Sequence, residues 1–243
     1  MRINEDIAVS TPKILLVPYD AHHVERYHEW MQDEALREAT ASDLLTLNEE
    51  YENQQSWRTA HDKLTFIVCQ PANGAAAAAS TIYAGEDDAP ARMVGDVNLF
   101  LTPCDGDNDD DEKGGHEAPG LQGEIDIMIA APGDRGKGLG EAAVRASLRF
   151  LAAHLDAVVG EYARGESPSL SPKDVRLKRL VAKINADNAG SIRLFGNLGF
   201  QRDGDPNYFN EIGMVLSDFP RASEGSDVLG YRECDYDRSR LKK

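Results

Sequence analysis

The chain is short of several things, and each shortage excludes something. Its 243 residues include only three cysteines, Cys69, Cys104 and Cys234, widely spaced and with no Cys-x-x-Cys pair. That pattern argues against a disulfide framework and against a cysteine zinc site. It fits a reducing compartment, cytosolic or nuclear. No apolar run approaches the roughly 20 residues that cross a bilayer, so no membrane association is expected. The first residues, Met1 to Asp6, lack the apolar stretch of a secretory signal. Basic residues are outnumbered: 26 Lys and Arg stand against 42 Asp and Glu, a formal charge of -16. A nucleic-acid partner is therefore not expected, because its phosphates would be repelled. What remains is ordinary for a globular domain: 41% hydrophobic residues, enough for one substantial core.

Much of the acidity is local. Asp105, Asp107, Asp109, Asp110, Asp111 and Glu112 lie within eight residues. A calcium loop would need a helix on each side. Those flanks are missing, so the segment reads as a solvated loop. Lys13 to Pro18 predicts a first strand. Val24, Tyr27 and Met31 share a helical face and predict a helix over 21–32, with Asp20 as its N-cap. A second helix is expected over 47–60. Strands over 64–69 and 93–101 flank 71–91, a low-complexity stretch read as a hairpin excursion. The acidic loop fills 103–120. A strand over 122–130 leads through a glycine-rich turn into a helix ending near Ala153. Gly, Ser and Pro predict a loop over 160–175. A strand over 179–184, a helix over 187–198 and strands over 200–202 and 208–216 follow. Residues 218–243 read as a loose polar tail. The pattern predicts one α/β (α+β) domain over 13–217, with a mixed central sheet of six to seven strands flanked by helices.

The most informative stretch runs from Gly123 to Gly140. Ile125, Ile127 and Ile129 alternate with Glu124, Asp126, Met128 and Ala130. A period of two puts the isoleucines on one face and both carboxylates on the other. The turn Arg135-Gly136-Lys137-Gly138-Leu139-Gly140 has the form Arg-x-x-Gly-x-Gly. Its glycines turn tightly and leave backbone N–H groups uncovered. A helix starting there adds unpaired donors and the positive end of its dipole. With Arg135 and Lys137 the turn is a seat for a pyrophosphate. A second partial signature follows, Asn185-x-x-Asn188-x-x-Ser191 and then Gly199-Phe200. His22, His23 and His28 put no two imidazoles at i, i+4, so no metal site is expected. Trp30, Tyr51 and Trp57 read as helix-packing residues before they read as a substrate surface.

The order and spacing of the two signatures resemble the acetyl-CoA-binding core of the GNAT N-acetyltransferases. The N-terminal half is similar to the N-acetyltransferase 9-like branch of that family. The matching strings include Val17-Pro18-Tyr19, His23-Val24, Tyr27-His28-Glu29-Trp30-Met31, Asp62-Lys63 and Val94 to Leu101. The resemblance implies that the strand over 122–130 splays from its neighbour at the acetyl-CoA site. It implies that backbone groups of Met128, Ile129 and Ala130 hold the pantetheine arm, and that Arg135 to Gly140 hold the pyrophosphate. Asn185, Asn188 and Ser191 would complete the cofactor side. Glu124, eleven residues before Arg135, falls at the family's general-base position. Asp126 is the second candidate. Phe195 departs from the pattern, since many members place there a Tyr that protonates the leaving thiolate. The general acid is then replaced by Tyr208 or water, or is unnecessary because a CoA thiolate leaves readily.

The implied reaction is direct attack of an amine on the thioester of acetyl-CoA, with no metal and no covalent enzyme intermediate. A base takes a proton from the amine, and a backbone N–H stabilises the oxyanion. The expected acceptor is a protein or peptide amine, N-terminal or lysine. Two alternatives stand beside this reading: a non-catalytic CoA-binding interaction protein, suggested by Phe195, and a small-amine acetyltransferase. An open acceptor groove would favour peptides and a closed one small amines. Sequence does not supply that shape, nor the oligomeric state.

Overall fold

A computed structural model describes residues 1–71, 79–104, 120–217, 219 and 228–241. Its centre is an antiparallel pair, β5 (Met93–Pro103) and β6 (Gly120–Ile129), in unbroken register from Gly95↔Ile129 to Pro103↔Leu121. Antiparallel β3 (Lys63–Cys69) flanks β5, and β7 (Arg176–Asn185) runs parallel to β6. Beyond β3 lie β2 (Leu15–Pro18), β1 (Ile7–Ser10), β10 (Arg232–Asp237) and β4 (Thr81–Tyr83). Beyond β7 lie β9 (Glu211–Ser217) and β8 (Gln201–Asp203). All ten belong to one sheet.

Helices cover both faces. On one lie α4 (Leu139–Ala153), α5 (Leu155–Glu166) and α6 (Ala189–Asn197); on the other, α1 (Val24–Trp30), α2 (Glu34–Thr40) and α3 (Leu47–Thr59). β3, covered on both sides, is therefore largely apolar on both faces. In β3, Leu64, Phe66 and Val68 enter the core under α4 and α5, while Ile67 and Cys69 enter the core under α1. α3 starts at a capping box: Thr46 Oγ1 accepts from Glu49 N, and the Glu49 carboxylate accepts from Thr46 N at 2.7 Å.

The predicted elements are present, with several corrections. Among the described residues the sheet has ten strands rather than six to seven. β4 and β8 are three residues long and β1 four, too short to show a period. The predicted loop over 160–175 begins as helix, because α5 runs to Glu166 and buries Val158, Val159, Tyr162 and Ala163. Burial of that stripe outweighs the poor helix propensity of Gly160 and Gly165. The tail is not loose where it is described. β10 pairs with β1 and β4, and Phe219 is buried in the main core. The sheet thus reaches past both ends of 13–217. The excursion over 71–91 contains β4 at the sheet edge. The acidic segment 105–119 lies outside the described residues.

Candidate active site

β6 and β7 pair only from Gly120↔Arg176 to Glu124↔Val181. Beyond that point β6 stays with β5 as far as Ile129, while β7 stays with β9 as far as Asn185↔Glu211. The two strands part company, and this is the splayed pair expected from the sequence. One face of the gap carries Glu124 and Asp126; the glycine turn lies past its far end.

In that turn Gly136 and Gly138 both have φ +72°, a region that only glycine enters readily. A side chain on Gly136 would point into open space. The N–H groups of Gly136, Lys137 and Gly138 have no hydrogen-bond partner among the described residues. Gly138 is the N-cap of α4, and no side chain caps the helix. Uncovered donors at the positive end of a helix suit the phosphates of acetyl-CoA. Gly140 has a different task. A β-carbon there would meet Leu194 at 3.1 Å and Ile127 at 3.6 Å, so this glycine lets α4 pack closely on α6 and β6. Leu139, beside it, is half-buried against the same core.

The two expected phosphate cations are engaged elsewhere. Arg135 folds back, its Nε donating to Ile129 O and its Nη2 to Ala130 O, each at 2.9 Å. Lys137 pairs with Asp134 at 2.9 Å. Ala130 N donates to Val94 O at 2.9 Å, and the side chains of Met128 and Ala130 are buried in the core under α1. A cofactor amide at these residues must share carbonyls that Arg135 already uses. Asn185 Oδ1 accepts from Asp187 N, and Asn188 Oδ1 caps α6 by accepting from Ser191 N at 3.0 Å. Both amides shape the β7–α6 connection.

The carboxylate face continues into β5. Thr65, Asn98 and Asp126 form one cross-strand row, with Ile67, Asp96 and Met128 in the next. Asp96 is buried; its Oδ2 accepts from Tyr27 Oη at 3.2 Å and from Asn98 Nδ2 at 2.8 Å. Loss of water pushes its carboxyl up to about 6 against those two donors. Asp126 is exposed to the gap yet ringed by protein and other acids. It is pushed up to about 7, first by poor hydration and then by the charges of Glu124 and Asp96. No donor is bonded to it among the described residues. Glu124 instead accepts from Lys183 Nζ at 2.7 Å, a bond that raises the lysine's pKa. A carboxyl that titrates near neutrality beside one already bonded to a lysine is the arrangement of an acid–base site. The sequence pattern singled out Glu124 and Asp126 but missed Asp96 and Asn98. Their only signal was alternation on a strand otherwise apolar.

Phe195 is buried and packs edge-on against Phe200, centroids 5.0 Å apart. It is a core residue here. Tyr208 is 94% exposed at the turn between β8 and β9. Trp30 is buried, and Trp57 packs edge-on against Phe100 with Lys63 Nζ above both rings. The packing reading of Trp30 and Trp57 therefore holds.

One cluster among the described residues has metal-ligand chemistry: His22, His23 and Asp88. Both Nε2 atoms lie against Asp88 Oδ2, at 3.1 and 3.0 Å, and Tyr236 Oη donates to the same oxygen. His23 Nδ1 accepts the Asp20 N–H, so the proton of the neutral ring sits on Nε2. A ring protonated at Nε2 donates to Asp88 and cannot ligate a metal there. Burial lowers the His23 pKa and keeps the ring neutral. Burial alone would raise Asp88; the hydrogen bonds from His22 and His23 outweigh it and hold the carboxyl far below its usual range. The cluster is a clasp between the N-terminal segment, the 84–89 loop and β10.

Residues 13–201 match the family model described as an acetyltransferase (GNAT) domain. The chain belongs to the GNAT family. It is an acetyl-CoA-dependent N-acetyltransferase. It is 36% identical, over 96% of this chain and 100% of the other, to an N-acetyltransferase 9-like protein of Caenorhabditis briggsae. It is 37% identical, over 87% of each chain, to the alpha/beta-tubulin-N-acetyltransferase 9 of Drosophila melanogaster. Among solved structures, its fold resembles spermidine N-acetyltransferase from Vibrio cholerae in complex with CoA and spermine. That match has a TM-score of 0.55 and 12% identity, over 85% of this chain and 96% of the other. The GNAT resemblance read from the glycine turn is thus a membership.

Proposed function

We propose that this GNAT enzyme acetylates a protein amine and that Asp126 takes the proton from it, with Glu124 held beside it by Lys183. The observation that carries the reading is the place of Asp126 in the mouth of the β6–β7 gap, beside Glu124 and with no donor bonded to it among the described residues, which agrees with a carboxyl pushed up to about 7. The acceptor arrives mostly as an ammonium ion. Glu124, Asp126 and Asp96 present negative charge to it. Asp126, ionised in part at neutral pH, removes a proton and frees the nitrogen lone pair. Acetyl-CoA supplies the thioester that this nitrogen attacks. The sequence placed Glu124 first. Glu124 is already engaged by Lys183 Nζ at 2.7 Å, which leaves Asp126 as the carboxyl free to take the proton.

Two observations support a protein acceptor. The similar Drosophila protein is named for alpha- and beta-tubulin. Tyr208 and Phe209 stand exposed together beyond the end of β7, joined to it by Ala186 N donating to Asn210 O at 2.8 Å. An exposed aromatic pair beside a reactive gap suits a polypeptide better than a polyamine. The test is acetyl transfer to purified tubulin, a peptide library and spermidine, with products located by mass spectrometry. Acetylation of tubulin or of peptides at a defined amine is expected. Turnover of spermidine with none of the peptides or tubulin would overturn the protein acceptor.

A further inference from the structure

We infer that Lys13, on the turn between β1 and β2, is the cation of the phosphate seat, and that the C-terminal strand holds it there. This rests on Gly136 to Gly138 being the seat of the acetyl-CoA pyrophosphate. Lys13 Nζ lies 2.7 Å from the point where a β-carbon on Gly138 would stand. It fills the space that the absent side chain leaves at the N-cap of α4. An ammonium against the positive end of a helix is repelled unless an anion joins them. The chain has 42 acids, yet no carboxylate pairs with Lys13 among the described residues. Its neighbours are committed: Lys137 to Asp134, Arg135 to the end of β6. Lys13 is thus the cation that lies against Gly138 with no carboxylate partner among the described residues.

The turn that carries Lys13 is rigid. Thr11 Oγ1 accepts from Lys13 N at 3.2 Å and from Ile14 N at 3.0 Å, and donates to Ile14 O. Pro12 is pressed from the other side by Gly230, where a β-carbon would come within 2.8 Å of the proline ring. Gly230 has φ +68° and leads into β10, which pairs with β1 through Ser10↔Arg232. β10 lies outside residues 13–201, the part shared with the family model. The C-terminal segment therefore braces this contact from outside the shared core.

The experiment measures Kd by calorimetry for acetyl-CoA and for 3′-dephospho-acetyl-CoA, on wild type, Lys13→Met, Lys13→Arg and Pro12→Ala. Lys13→Met is expected to raise Kd about tenfold for both ligands, the scale of one charged hydrogen bond. Lys13→Arg is expected to restore most of the affinity, and Pro12→Ala to raise Kd by a smaller factor. The slope of log Kd against log salt should fall in Lys13→Met. Equal Kd for wild type and Lys13→Met would overturn the inference while leaving the seat intact. A loss confined to acetyl-CoA and absent with the dephospho form would place Lys13 on the 3′-phosphate and overturn the pyrophosphate assignment. Absence of acetyl-CoA binding by the wild type would instead remove the seat itself.

Discussion

Asp88 and Asp126 are the same residue type crowded by protein in two places, and their surroundings drive them in opposite directions. Asp88 is fully buried and surrounded by donors: His22, His23 and Tyr236 on Oδ2 and Gly85 N on Oδ1. Its charge is compensated, and its carboxyl is held far below the usual range. Asp126 has acids for neighbours and no bonded donor among the described residues, and is pushed up to about 7. Crowding alone raises a carboxyl; the donors present decide the rest. A carboxylate saturated with donors ties segments together. One left without them exchanges a proton near neutral pH.

Breaking the clasp should have the largest effect. Asp88→Ala leaves two imidazoles and a tyrosine hydroxyl without their acceptor in the interior. A loss of about 3–5 kcal/mol is expected, the combined cost of several buried donors left unsatisfied at about 1–3 kcal/mol each. Urea denaturation checks it; a loss below about 1 kcal/mol would show that the clasp relaxes freely. Next comes Asp126→Asn, which should lower kcat by ~10²–10⁴-fold, the usual reach of a general base. Its melting temperature at pH 7 should hold or rise, because an ill-placed charge is removed. Glu124→Gln should cost less than Asp126→Asn, and the reverse order would return the base to Glu124.

The pH dependence separates the two aspartates further. Asp126 must be ionised to act, so kcat/KM should fall as pH drops through about 7, where its folded pKa lies. Asp126→Asn should lose that limb. Stability runs differently. The folded pKa of Asp126 exceeds its unfolded value, so the folded state binds the extra proton and Asp126 costs stability as pH rises from about 4 to 7. His23 has a folded pKa below its ordinary 6.5. Its contribution is present above that value and is lost as pH falls below it. Thermal melts from pH 4 to 8 should show Asp126→Asn gaining most at the neutral end and His23→Gln flattening the acid side. The smallest effect is expected from Lys183→Met, an exposed pair with Glu124. It should change kcat by less than about tenfold, since exposed pairs contribute little.

Long, strongly patterned segments were legible in the sequence. The alternation around Glu124 and Asp126 placed both on one face, and the glycine turn was read as the start of α4, which it is. The short edge strands were not legible. β10 shows few apolar residues, and it holds its place through Tyr236 on Asp88 and Arg238 on Asp20 at 2.6 Å. Contacts between residues so far apart in the chain leave no local pattern.

The sequence by itself determined the family, the strand–glycine turn–helix unit and which carboxylates share a strand face, because period and turn chemistry are local properties of the chain. Only the tertiary structure decided which cation lies against Gly138 and which carboxyl is pushed toward neutrality. Lys13 meets Gly138 because β2 begins on the side of the sheet where β6 ends, and Asp126 sits beside Asp96 because β5 and β6 pair in that register. A pKa and a phosphate contact depend on what the fold brings alongside, which residue order alone does not state.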